Sequence, residues 1–84
     1  MNKDFPPKIR FVKALDDYIL LVTFNNGITK QYDFKPKIIE HPYNTIAKHN
    51  LFKSVQIDIG GYGLSWNDDI DISEHDLWEK GITV

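Results

Sequence analysis

Tyr18-Ile-Leu-Leu-Val-Thr-Phe24, Asn25-Asn-Gly27 and Ile28-Thr-Lys-Gln-Tyr-Asp-Phe34 form the stretch on which the fold turns. Two β-rich runs around an Asn/Gly turn predict an antiparallel hairpin. A two-residue loop would set Phe24 opposite Thr29, Val22 opposite Gln31 and Leu20 opposite Asp33, mixing apolar and polar partners on one face. A three-residue loop, Asn25 to Gly27, sets Phe24 opposite Ile28, Val22 opposite Lys30, Leu20 opposite Tyr32 and Tyr18 opposite Phe34. A one-residue slip exchanges the faces, so burial of one apolar face selects the second register, with the Lys30 stem laid over Val22. A three-residue loop ends in a left-handed residue, which predicts positive φ at Gly27. The opposite face carries Ile19 and Leu21 beside Thr23, Thr29, Gln31 and Asp33, and its half-apolar character predicts partial cover.

Working outward, Lys8 to Leu15 reads as a first strand, with Ile9 and Phe11 on one face and Lys8 and Arg10 on the other. Val12 directly after Phe11 breaks the alternation, which suggests a bulge. Asp16-Asp17 turns this strand into the hairpin and completes a three-stranded meander. Pro36 stops the third strand and suits a helix start, predicting one turn to Glu40 with Ile38 and Ile39 inward. Tyr43, Ile46, Ala47 and Leu51 recur at helical spacing, so a short helix ends near Asn50. Ser54 to Ile59 alternates, Gly60-Gly61 follows, and a second hairpin pairs Ile59 with Tyr62, Ile57 with Leu64 and Val55 with Trp66. Ile70-Asp71-Ile72 is a short extended piece. Ser73 caps a helix Glu74–Lys80 anchored by Leu77 and Trp78, with Gly81 as its left-handed end. The class is α+β: a three-stranded antiparallel meander, short helices, a second β-hairpin and a C-terminal short helix, in one domain over residues 1–84 with residues 1–7 as a flexible leader.

Eighty-four residues without cysteine exclude disulfides and thiolate metal sites and suit a reducing compartment. No apolar run approaches the ~20 residues of a membrane span, and the first residues lack a signal-peptide stretch, so a cytoplasmic protein with no membrane association is expected. Net charge is −2 and unevenly spread: residues 1–53 hold nine Lys/Arg and five Asp/Glu, residues 54–84 one Lys and seven Asp/Glu. The asymmetry is either an interaction surface or two faces attracting each other across the fold.

The chain resembles the short bacterial domain-of-unknown-function family numbered twenty-four forty-two over nearly its full length. The carriers are Pro7-Lys-Ile9, Asp17-Tyr18 leading into Leu20, Val22 and Phe24, Asn26-Gly27, Tyr32-Asp33, Phe52-x-x-Val55, Gly63-x-x-Trp66, and Asp71-Ile72-Ser73-Glu74 with Leu77 and Gly81. Asn26, Gly27, Trp66, Asp68, Asp71, Leu77 and Gly81 stand as its signature. Where the family has a Trp-Pro-Asp-Gly turn, this chain has Trp66-Asn67-Asp68-Asp69, which asks an aspartate to stand in a left-handed slot. The resemblance implies an α+β domain, often encoded alone beside another small protein and discussed as antitoxin-like. Relatives fused to helix-turn-helix modules do not transfer a DNA-binding role to this chain.

The residues themselves supply no reaction. Asp58, Asp68, Asp69, Asp71, Glu74 and Asp76 fail the EF-hand pattern, because position six would be Ile72 and position twelve Trp78. His41, His49 and His75 lack metal-ligand spacing. Ser54, Ser65 and Ser73 have no evident base, and Gly60-Gly61-Tyr62-Gly63 lacks the rest of a phosphate loop. Neither catalytic residues nor a cofactor are expected, and the protein is read as no enzyme. The expected role is a protein-interaction module with an antitoxin-like or regulatory function, its partner encoded nearby and its surface at Lys8, Arg10, Ile19 and Leu21. One alternative is an accessory nucleic-acid-binding domain using Lys8, Arg10, Lys30, Lys35 and Lys37, with Tyr32 or Phe34 stacking. The isoelectric point of 5.8 argues against it. A further alternative is an enzyme with an acidic metal site at Asp68 to Asp71.

Overall fold

The computed structural model describes residues 6–84. The expected leader over residues 1–7 lies outside them apart from Pro6 and Pro7. Strand β1 (Ile9–Leu15), β2 (Ile19–Phe24) and β3 (Thr29–Asp33) form the antiparallel meander, followed by the short helices α1 (Lys35–Ile38) and α2 (Asn44–Lys48). Then come β4 (Gln56–Ile57), β5 (Gly63–Asn67), β6 (Ile70–Ser73), helix α3 (Glu74–Lys80) and β7 (Ile82–Thr83). Two antiparallel sheets result, ordered β1-β2-β3-β7 and β4-β5-β6. The fold is α+β, and both sheets exceed the predicted ones by a strand.

The hairpin register is the one selected by burial: Leu20 pairs with Tyr32 and Val22 with Lys30. The Phe24 N–H donates to the Ile28 carbonyl at 2.9 Å, and Gly27 has φ +89°. Inward lie Leu20, Val22, Phe24, Tyr32 and Phe34, all at or below 5% exposed. Burying a side chain of this size contributes about 1.5–3 kcal/mol. The Lys30 ammonium donates to the Trp78 carbonyl at 2.6 Å and lies 3.9 Å from the Trp78 ring centroid.

In β1 the predicted faces are corrected. The ladder shifts between Ile9 and Phe11, so Ile9 pairs with Phe24 while Phe11 pairs with Thr23. The extra residue turns Phe11 outward and sends Val12 and Ala14 against the core.

The second sheet keeps the expected Ile57–Leu64 pairing, and the Asp58 N–H reaches the Gly63 carbonyl at 2.9 Å. The two-residue Gly-Gly loop is not formed, however. Ile59 and Tyr62 leave the ladder and are 97% and 61% exposed. Gly61 explains the wider loop: a Cβ there would stand 2.5 Å from the Ile9 carbonyl oxygen, so this bend is pressed against β1. Ile70–Ser73 forms a full strand opposite β5, with Leu64 facing Ile72.

Among the helices, α1 buries Ile38 but leaves Ile39 78% exposed, because one turn cannot aim neighbouring residues the same way. In α2 Ile46 is buried and Ala47 is exposed, and left-handed Asn50 ends the segment. Helix α3 spans the predicted residues, and the Ser73 hydroxyl accepts from the Asp76 N–H at 3.2 Å. Gly81 is not left-handed, since its φ is −71°. Glycine is needed for space instead: a Cβ would lie 2.6 Å from the Leu77 carbonyl oxygen. Asp69 likewise avoids the left-handed region, and the Asn67 side chain closes the turn by accepting the Asp69 N–H at 2.9 Å.

An aromatic hub joins the two sheets. The Phe34 ring lies 5.1 Å from Trp66, 5.4 Å from Tyr43 and 5.8 Å from Phe52. The buried Trp66 Nε1–H donates to the Phe52 carbonyl at 3.0 Å, which removes the cost of an unpaired donor.

Candidate functional site

The inner face of the first sheet is consumed by the core, and the outer face is what remains. The register places Lys13 beside Leu21, Leu15 beside Ile19, Phe11 beside Thr23 and Ile82 beside Gln31 on that side. Phe11 is 59% and Ile82 73% exposed, while Ile19 and Leu21 are half-buried. None of Phe11, Leu15, Ile19, Leu21 and Ile82 packs into the core cluster. The Thr23 and Thr29 hydroxyls share a 2.8 Å hydrogen bond across this face, so its polar members partly satisfy each other. The result is an apolar surface with polar flanks on a rigid sheet, a form that suits a macromolecular contact.

Of the four residues expected to form a partner surface, Ile19 and Leu21 lie together here, and Arg10 is exposed beside Phe11 with its guanidinium 5.3 Å from that ring. Lys8 is turned elsewhere. Its ammonium pairs with buried Glu74 at 3.0 Å and lies over the Tyr62 ring. Sequence reasoning missed Phe11 and Ile82. The broken alternation at Phe11-Val12 was the available signal for the first. Ile82 becomes part of the face only by a long-range pairing.

The basic residues of the first half are mostly engaged. Lys35 pairs with Asp33 at 3.1 Å, Lys37 with Asp76 at 3.6 Å and Lys8 with Glu74. Part of the charge asymmetry goes into holding α3 against the first sheet: Lys8 takes Glu74, Lys37 takes Asp76 and Lys30 takes the Trp78 carbonyl, while Lys35 pairs locally with Asp33. Tyr32 and Phe34 are buried, so neither ring is presented for base stacking.

The acidic residues are dispersed among separate partners. Asp58 accepts from Ser65 at 2.7 Å, Glu74 takes Lys8, and Asp76 takes Lys37 and Lys80. Among the described residues no group of three or more His, Cys, Asp or Glu side chains could hold a metal ion. Burial, with the neighbouring Asp76 carboxylate, pushes the Tyr32 phenol above its usual range. The Lys35 backbone N–H, then its ammonium, hold Asp33 below the usual carboxylate value. His41, His49 and His75 are exposed.

The signature residues have framework positions. Asn26 accepts the Ile28 N–H at 3.0 Å, Gly27 supplies the left-handed turn, and Asp68 sits exposed in the β5–β6 turn. Trp66 and Leu77 are buried, the Asp71 carbonyl receives the Tyr43 hydroxyl at 3.0 Å, and Gly81 allows close approach to Leu77. They hold turns, core and chain crossings, which defines a small α+β scaffold with an open sheet face. The chain belongs to the family described as protein of unknown function (DUF2442), whose model matches residues 9–83. No curated protein and no solved structure matches it. No helix among the described residues is long and apolar enough to cross a membrane.

Proposed function

We propose that the protein is a protein-interaction module with an antitoxin-like or regulatory role, and that its partner docks on the outer face of the four-stranded sheet. The observation that carries this reading is the apolar face of Phe11, Leu15, Ile19, Leu21 and Ile82, left outside the core by the register itself. Hydrophobic anchors on a rigid sheet, with Arg10 and Lys13 at hand, supply the buried centre and polar rim that protein interfaces use. The family context points to the product of the adjacent gene as the first partner to test.

Co-expression with that neighbour and pull-down is the direct experiment. A complex is expected, and it should be lost on Phe11→Ser with Leu21→Lys while circular dichroism stays unchanged. Failure of the neighbour to co-purify, or a complex indifferent to those substitutions, overturns the assignment.

A further inference from the structure

A second feature lies at the other end of β2, away from the Asn25–Gly27 turn. The turn from β1 to β2 faces the bend after α2, and between them opens a cleft of about 550 Å³. That is within the ~300–1,000 Å³ typical of small-molecule sites. Leu15, Tyr18 and Phe52 form its apolar part, and the Tyr18 and Phe52 rings meet edge to face at 5.1 Å.

The backbone around this cleft is unusual. Asp17, Tyr18 and Asn50, with φ 63°, 60° and 59°, are the left-handed non-glycine residues of the described chain, and all three line it. Asn50 has a local reason: it ends α2, with the Leu51 N–H returning to the Ile46 carbonyl at 2.8 Å. Asp17 and Tyr18 form two successive left-handed residues, a conformation that Asn-Gly fills at little cost. A tyrosine there is strained, because its Cβ crowds the neighbouring carbonyl oxygen in this region. Such strain persists where surroundings impose it, and it concentrates at ligand clamps.

The rim alternates in charge. Lys53 pairs with Asp16 at 2.8 Å, and the Lys35 ammonium lies 3.2 Å from the Asp17 carbonyl oxygen and 3.1 Å from Asp33. The Lys53 and Asp16 side chains are 68% and 90% exposed. An ion pair so open to water is screened and weak, so a ligand bearing its own charges can replace it. Two cations and two anions around an apolar wall match a ligand that carries both charges beside an apolar group.

We propose that this cleft binds a small apolar zwitterion, an α-amino acid or a dipeptide, with its carboxylate on Lys35 and Lys53, its ammonium on Asp16 and Asp17, and its side chain against Leu15, Tyr18 and Phe52. The cleft shares Leu15 with the outer sheet face, but its other lining residues lie apart from that face, so the test below reads it independently of Phe11 and Leu21. The test is a titration of ¹⁵N-labelled full-length protein with L-phenylalanine, L-leucine and L-leucyl-L-leucine, followed by amide shifts. Saturable shifts are expected at Asp17, Tyr18, Asn50 and Lys53. N-acetyl-L-phenylalanine and L-phenylalaninamide, each lacking one charge, should bind roughly tenfold or more weakly, as should Lys53→Ala, because a charge-assisted contact is lost. Replacing Asp17-Tyr18 by Asn-Gly should keep the fold and abolish the shifts. The proposal is overturned by no saturable shift up to ~10 mM, far weaker than useful recognition. It is equally overturned by shifts confined to other surfaces, or by equal binding of the blocked compounds.

Discussion

Phe34→Ala tests whether the aromatic hub holds the two sheets together. Phe34 is 0% exposed and touches rings from four other residues: Trp66, Tyr43, Phe52 and Tyr32. Truncating a buried phenylalanine costs about 3–5 kcal/mol, from lost transfer energy and the cavity left behind. Each well-oriented ring pair adds about 0.5–1.5 kcal/mol beyond area, which places this site at the upper end. A domain of 84 residues has a total stability of roughly 4–13 kcal/mol. Loss of ~5 kcal/mol therefore removes a third of the stability or more and lowers the melting temperature by roughly 20–40 °C. Urea unfolding followed by tryptophan emission measures it. A Trp78→Phe background isolates Trp66, the ring closest to Phe34 among those four. The expected result is a large fall in the midpoint with a shifted Trp66 emission. A loss below ~1.5 kcal/mol with unchanged emission would show that the sheets are held by other contacts, and the hub argument would be wrong.

Gly27→Ala should cost about 1–2 kcal/mol by backbone strain alone, since nothing lies within 4 Å of the added methyl. Gly81→Ala, at an ordinary φ, should cost more, because its methyl would meet the Leu77 carbonyl oxygen at 2.6 Å. Denaturation of both variants ranks them, and the reverse order contradicts the assignment. Lys8→Ala should destabilise by about 1–3 kcal/mol by leaving the Glu74 carboxylate unpaired, and adding Glu74→Gln should recover part of the loss in a double-mutant cycle. The Tyr32 phenol is raised in the folded state, so its contribution is complete below the unfolded value of 10.0 and is lost as pH rises beyond it. Thermal melts of Tyr32→Phe should therefore show a shallower alkaline decline than the parent, and identical slopes would remove Tyr32 from that role.

Local physical chemistry made much of this molecule legible from its residues. Burial of Leu20, Val22, Phe24, Tyr32 and Phe34 on one face admits a single hairpin register, and Gly27 provides the only cheap left-handed residue for the loop. Ser73 and the acids after it mark the start of α3, where a side-chain acceptor and negative charge meet free N–H groups. These features depend on residues within one turn or one hairpin, so spacing and side-chain type suffice.

Other features were settled by contacts between distant parts of the chain. Gly81 signalled a left-handed cap, yet Leu77 and Lys30 crowd it and require the absence of a Cβ at a normal φ. Ile82 shows no strand pattern of its own, and it becomes one by pairing with Gln31 and extending the sheet. Phe11 changes face because the ladder slips near Ile9, which moves an aromatic from the expected core to the proposed docking surface. The cleft beside Tyr18 exists only because the bend after α2 comes to lie against a turn more than thirty positions earlier. Sequence by itself determined the hairpin, its buried face and the α3 boundaries, since periodicity and caps are short-range. Tertiary structure alone decided the sheet edges, the addition of Phe11 and Ile82 to the outer face, and the cleft, since each depends on which distant backbone fills the neighbouring space.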